Sequence, residues 1–265
     1  MTPRRALERA FPLLVVGLAG LAVFVWKVRI VAAIRYVGHA DASAYAEMAD
    51  SLLRGRGLEV DYISWYFRRY SPRILRPEDH WPPFYSFLIV PFFAAMGKTA
   101  LAAKLPSLLI SSIGFPLTLY ALARRVSGSA VVGVVSGLSI LLYYPVFDWS
   151  LHCLSDVTFG FLVTAAMLSA VKGFDDSRWF LPMGVFSAFS YLAKGSALVL
   201  IPPIVAYYVL WRLLARPRRA WTRRDTRFAF GVGLSFVLLV PWFARNTAHF
   251  GNPIYSTQNH AAGYI

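Results

Sequence analysis

The feature that most constrains this chain is a succession of apolar runs at about 10–26, 99–123, 129–147, 155–171, 179–193, 196–214 and 228–244. A helix needs about 17–25 predominantly apolar residues to cross the hydrocarbon core of a bilayer, and these runs reach or approach that length. A small soluble fold has no use for so many. Composition agrees, with only 15% charged residues and a mean hydropathy of +0.53, where soluble domains carry about 25% charged residues. A net charge of +14 also suits a nucleic-acid binder, but such a protein shows its basic residues on a solvated face. Here they fall between apolar runs, so no nucleic-acid partner is expected. The single cysteine, Cys153, excludes an internal disulfide and any cysteine-based metal cluster. The expected fold class is an all-α polytopic membrane protein.

The first run follows Arg4, Arg5 and Arg9 in the manner of a signal peptide. No small-residue cleavage site follows it before Lys27 and Arg29, so it reads as an uncleaved first span. One further run, Phe84 to Met96, has 13 residues, a length that suits an interfacial or re-entrant helix. The excess of Lys and Arg on cytoplasmic loops decides whether it crosses. If it does not, the cytoplasm receives Arg4, Arg5, Arg9, Arg124, Arg125, Lys172, Arg178 and the arginine-rich stretch 212–227, while the short outer connections receive only Lys194 and Arg245. If it does, the Arg124/Arg125 pair and the 212–227 stretch face outward. The first arrangement is favoured: about seven spans, N-terminus inside, C-terminus outside. The whole chain, 1–265, reads as one membrane module with a large outer loop at 27–98, followed by the remaining spans over 99–265.

Chemistry is expected in that loop. The apolar residues Tyr45, Met48, Ala49, Leu52 and Leu53 follow helical spacing, with Asp41 as N-cap and Gly55 as the stop. The spacing predicts an amphipathic helix over about 41–54 lying on the membrane surface, tyrosine and leucine side down. Asp41 is then either a helix cap or a carboxylate poised as a general base at the water–lipid boundary. A cap hydrogen bond favours the ionised form, so the two roles are compatible. Further along, Arg68, Arg69, Arg73, Arg76, His80 and Trp81 mix cations with aromatic rings. Guanidinium grips phosphate through paired donors, although the same composition is attracted to anionic headgroups without specificity. Pro82-Pro83 is expected to open the short helix 84–96.

At Asp41-x-x-x-Tyr45 and Trp81-Pro-Pro-Phe-Tyr85 the sequence resembles the GT-C glycosyltransferases. The closest look is to the bacterial branch of aminoarabinose transferases and protein mannosyltransferase-like enzymes. Ala103-Lys-Leu-Pro-Ser-Leu, Leu154-Ser-Asp-Val-Thr-Phe, Leu192-Ala-Lys-Gly-Ser, Pro241-Trp-Phe-Ala-Arg-Asn and Phe250-Gly-Asn-Pro continue the resemblance in order, covering residues 40–253. It implies a multi-pass protein of the bacterial inner membrane that takes a sugar from a polyprenyl-phosphate carrier on the outer face and inverts at the anomeric carbon. The acceptor is a hydroxyl or amine on a glycan, lipid or protein. Asp41 and Asp156 carry over as the catalytic carboxylates. Some branches place a lysine before the Pro-Pro pair to contact donor phosphate, and here Trp81 stands there, so Arg73, Arg76 or His80 would substitute. Family members often have two adjacent acidic residues in the first loop, whereas Ala42 follows Asp41. Most are also about twice as long, so the resemblance implies a truncated member or a split one whose missing C-terminal half a partner chain supplies.

In the mechanism so implied, Asp41 takes the acceptor proton, and Arg73, Arg76, His80, Lys194 and Arg245 bind the donor phosphate. Lys194 and Arg245 equally suit a snorkelling role at span ends, and Asp156 a helix cap. Tyr45, Trp81 and Tyr85 are expected to line a lipid or substrate groove. If a divalent cation such as Mg or Mn binds, Asp41, Asp156 and His39 are its natural ligands. Membrane lipids and the polyprenyl-linked sugar donor are the expected partners. The competing reading is a non-catalytic family member acting as a lipid-binding scaffold. A transporter is disfavoured because the predicted span interiors hold almost no ionisable residues.

Overall fold

The computed structural model describes residues 3–62, 74–215 and 220–255. In chain order these form α1 (Pro3–Ala32), α2 (Ala40–Leu53), the short antiparallel pair β1 (Glu59–Val60) and β2 (Arg76–Pro77), α3 (Phe84–Met96) and α4 (Ala100–Leu109). A π-helical turn at Ile110–Gly114 joins α4 to α5 (Phe115–Ser127). Then come α6 (Ala130–Leu142), α7 (Tyr144–Ser150), α8 (Asp156–Gly173), α9 (Phe180–Ala193), α10 (Ile201–Ala215) and α11 (Arg223–Phe250). The chain is thus an all-α polytopic protein, as its apolar runs predict.

The count of seven spans is not reproduced. Among the described residues, five helical stretches are long and apolar enough to cross a membrane: Ala10–Ala32, Ala100–Ser127, Asp156–Gly173, Gly195–Leu214 and Arg223–Phe250. A sixth is α6 with α7, bent by 54° between them, because Tyr143 is extended and Pro145 restarts the helix. The predicted span 179–193 is a 14-residue helix. At 1.5 Å per residue it rises roughly 21 Å, short of a hydrocarbon core about 30 Å thick.

The first helix also runs past the predicted loop start at 27, to Ala32. Lys27 does not end it, because its ammonium is buried, donates to Ser111 Oγ at 3.0 Å, and sits 4.9 Å from the centre of the Phe147 ring. Nearby, Pro116 has no N–H to offer the preceding turn, and Phe115 N–H bonds back to Ile110 O in the π pattern. Gly20 of α1 lies against the Ser112 carbonyl of this segment, where a Cβ would meet the oxygen at 2.1 Å.

Short connections gather at two ends. At one, Arg125 pairs with Asp175, Arg227 donates to Ser177 at 3.0 Å, and Arg212 pairs with Asp225 at 3.2 Å. At the other, Cys153 N–H donates to Val37 O at 3.1 Å, Tyr45 meets Ser155, and Arg245 reaches Leu58 O. The described basic residues assigned to the cytoplasm thus lie together at one end, which requires α9, although short, to carry the chain from that end to the other.

Helix α2 departs from its predicted setting. Its apolar face packs on protein, with Tyr45, Met48 and Ala49 buried in one cluster with Tyr85, Ile89 and Phe93 of α3, Ala102 and Ala103 of α4, and Cys153 and Leu154. Small residues at Ala42, Ala46, Ala49, Ala102 and Ala103 let these helices approach closely. Only Leu53 among its large apolar residues is well exposed. The opposite face is pinned by Lys98, which bonds Glu47 at 2.7 Å and Asp50 at 3.1 Å.

Candidate active site

The site is built where α2, the turn before α3, the start of α8 and the ends of α9 and α11 meet. The N-cap of α2 is His39, in extended conformation and without a side-chain cap bond. Asp41 is not the cap but sits in the first helical turn, where a carboxylate is favoured by the helix dipole. Gly55 stops the helix as predicted, at φ +71°. Tyr45, one turn on, is fully buried, and its hydroxyl shares a 2.8 Å hydrogen bond with Ser155 Oγ. Its ring meets Tyr85 edge-on at 5.3 Å and Trp81 at 5.8 Å. Tyr85 is buried too; its hydroxyl lies 3.2 Å from Ala103 O and 2.6 Å from Ser107 Oγ, which donates to Leu154 O. Tyr45 and Tyr85 are therefore core residues with satisfied hydroxyls. Of the three rings expected to line a groove, only Trp81 is partly exposed.

Three carboxylates act electrostatically on the Tyr45 hydroxyl. Burial drives its pKa well up, the Ser155 hydrogen bond opposes this, and Asp156, Asp41 and Glu78 add to the rise. Asp156 opens α8 and forms an ion pair with Lys194, the residue that ends α9. Lys194 thus meets a predicted catalytic carboxylate. Arg245, near the end of α11, donates to Leu58 O at 3.1 Å and Asn246 Oδ1 at 3.0 Å, with its guanidinium 4.9 Å from the Trp242 ring centre. Glu78, Asp79 and Glu59 lie within its field. Arg76 pairs with Asp79 at 2.9 Å, and the His80 ring stands edge-on to Trp81 at 4.4 Å. The expected phosphate ligand Arg73 lies outside the described residues.

Sequence reasoning passed over Glu78. Its carboxylate is 2% exposed, and Oε1 accepts from His80 N–H at 2.8 Å and Trp81 N–H at 3.0 Å, fixing the turn that leads into Pro82-Pro83. Oε2 is buried without a hydrogen-bond partner among the described residues. Burial raises the Glu78 pKa, against the pull of those two amides. Burial and the same carboxylate push the Tyr62 hydroxyl upward, with Arg76 opposing. The acidic pair Glu78-Asp79 directly before His80 was the available signal.

Residues 80–244, more than half of the chain, match the family described as dolichyl-phosphate-mannose-protein mannosyltransferase. The chain belongs to this family, and with it to the GT-C superfamily. It is therefore a membrane glycosyltransferase by kinship, with the Pro-Pro turn, Asp156, Lys194 and the body of α11 inside the matched segment. Asp41 and α2 precede it. Neither a curated protein nor a solved structure matches the chain. Among the described residues no group of three or more His, Cys, Asp or Glu side chains is placed to hold a metal ion. Asp41, Asp156 and His39 do not fit as a ready ligand set, and Asp156 is engaged by Lys194 instead.

Proposed function

We propose that this mannosyltransferase-family chain transfers a sugar from a polyprenyl-phosphate carrier to an acceptor hydroxyl at the outer face of the membrane, with inversion. The observation that carries this reading is the Asp156–Lys194 pair beside the Asp41 turn, at the opposite end from the arginine-rich connections. Cytoplasmic placement of those arginines follows the positive-inside rule and turns the carboxylate end outward. In the proposed step Asp41 accepts the acceptor's O–H proton. The acceptor oxygen bonds to the anomeric carbon as the bond to the phosphate oxygen breaks, and the released electron pair stays on the phosphate. Asp156 acts as a positioning residue: it fixes Lys194, whose remaining N–H groups face the leaving phosphate, and Arg245 adds donors beyond the two it uses.

The test is transfer of radiolabelled sugar from synthetic polyprenyl-phosphate donors by the purified chain in lipid nanodiscs. Asp41→Asn is expected to lower turnover about 10²–10⁴-fold, the range for a lost general base, while folding and donor binding persist. Lys194→Met is expected to weaken donor use. Full activity of Asp41→Asn overturns the role of that residue. Donor binding without transfer across many donors favours a non-catalytic chain or one needing a partner.

A further inference from the structure

Outside that site, at the same end of the bundle, lies a cluster of nitrogen groups that the proposed chemistry does not use. Lys104, in α4, has no exposed surface, yet its ammonium has no hydrogen-bond partner and no ion pair among the described residues. His152, in the turn between α7 and α8, has a buried Nδ1 that is likewise unpartnered. The ring of His39 is 6.2 Å from that of His152, and the Tyr36 ring centre is 5.4 Å from Lys104 Nζ. The Tyr36 ring beside Lys104 is 64% exposed, and His39 is exposed as well.

The fold has no need of this charge. A buried ammonium without a partner destabilises, and replacing such a group by an apolar one is often neutral or stabilising. The nearest ionisable neighbour supplies no counter-charge, since burial pushes the Cys153 thiol up, against the pull of Lys104 and a Tyr85 hydrogen bond, and keeps it neutral. Burial also lowers His152, with Asp148 opposing and Lys104 and His39 adding to the fall. Three nitrogen-bearing side chains, from the N-cap of α2, from α4 and from the α7–α8 turn, thus converge, with Asp148 the carboxylate that acts on His152 and no carboxylate hydrogen-bonded to Lys104 among the described residues. Lysine offers three donors and each imidazole can offer more, which suits a group with several acceptor oxygens.

We propose that Lys104, His152 and His39 form a second anion pocket, separate from Lys194 and Arg245, that takes a phosphate group. A phosphate bound there would lie beside the first turn of α2, two residues from Asp41.

The test reads binding and not transfer, so it stands or falls apart from the proposed catalytic role of Asp41. The purified chain in neutral detergent is titrated with inorganic phosphate at constant ionic strength, following the thermal midpoint. In parallel it is placed in phosphatidylcholine nanodiscs with and without phosphatidic acid. The wild type is expected to show a saturable rise in one or both arms. A rise with inorganic phosphate identifies a free-phosphate site, and a rise with phosphatidic acid alone identifies a lipid headgroup. Lys104→Met is expected to lose at least about tenfold in apparent affinity, the size of one charged hydrogen bond, whereas Lys172→Met, at the opposite end of the bundle, keeps the response. His152→Leu provides the same readout should Lys104→Met fail to fold. No rise in either arm overturns the proposal, as does an equal rise in the Lys104 and His152 variants.

Discussion

The crossing of α9 and α11 sets a sharp requirement on two glycines. A Cβ on Gly184 would lie 2.0 Å from Gly231 O, and one on Gly231 would lie 2.1 Å from Phe180 O. Ordinary carbon–oxygen contact begins at about 3.3 Å, so Gly184→Ala forces the two backbones apart by roughly 1.3 Å, and neither obstructing atom belongs to a side chain that can rotate away. A gap of about 0.5–1 Å already forfeits a quarter to a half of the dispersion energy of each contact. The contacts at stake include Met183, Phe180 and Phe228 on one side of the crossing, and Tyr191, Leu239 and Trp242 on the other. Overpacking of this kind costs about 1–3 kcal/mol, against a helix-propensity gain of about 1 kcal/mol for Gly→Ala. Gly233, also on α11, is the control, because its Cβ would meet nothing within 4 Å. In thermal unfolding of the purified chain, Gly184→Ala and Gly231→Ala are expected to melt several degrees below wild type and Gly233→Ala at or above it. Gly20→Ala and Gly17→Ala on α1 should repeat the contrast, since only Gly20 faces a backbone oxygen. If Gly184→Ala melts with Gly233→Ala, the close crossing does not exist and the reasoning fails.

Other consequences are local. The Asp156–Lys194 pair is about a third exposed at each side chain, so a double-mutant cycle with Asp156→Asn and Lys194→Met should give a coupling of no more than about 1 kcal/mol. Burial pushes the Asp50 carboxyl up, but Lys98 and Arg54 outweigh it and hold it below the usual range. Its contribution is therefore present above an unfolded pKa of about 3.9 and is lost as pH falls through the lower folded value. Lys98→Met should flatten the acid limb of a melting-temperature profile. Glu78 is the reverse case: its raised pKa means stability is greatest below an unfolded value of about 4.3 and falls as pH rises toward the folded one. Glu78→Gln keeps an oxygen for the His80 and Trp81 amides and should melt above wild type at pH 8, with the gap closing below about pH 4; an unchanged gap across that range would count against a buried ionisable carboxyl.

Much of the architecture was legible because apolar length and helix stops act locally. Gly55 and Pro82-Pro83 end and begin helices for reasons contained in a few residues. What the sequence concealed depends on partners far away in the chain. Lys27 looked like the end of a span, yet Ser111, 84 positions on, satisfies it within the helix. Tyr45 fits a lipid-facing stripe as well as a protein-facing one, and only the alanines of α4 and the Ser155 hydroxyl decide between them. In the site, residue types were readable but pairings were not: Lys194 looked like a ligand for phosphate, while its meeting with Asp156 requires α8 and α9 to be packed side by side. Glu78 went unnoticed because its two amide partners are created by the turn that it helps to form.

The shortness of α9 has a consequence for depth. From Phe180 to Ala193 it rises roughly 21 Å, or about 27 Å with the turn Ser177–Trp179 beneath it. Trp179, stacked under Lys172 at 3.9 Å, marks a natural anchor at one interface, where such rings settle. Measured from there, Lys194 and the Asp156 it holds end a few ångströms below the far edge of a 30 Å hydrocarbon slab. A lipid whose head is met at that level need not be lifted out of the bilayer. Mismatch of this kind is met by local thinning of a bilayer, so bilayer thickness is expected to tune how readily the proposed reacting end is reached.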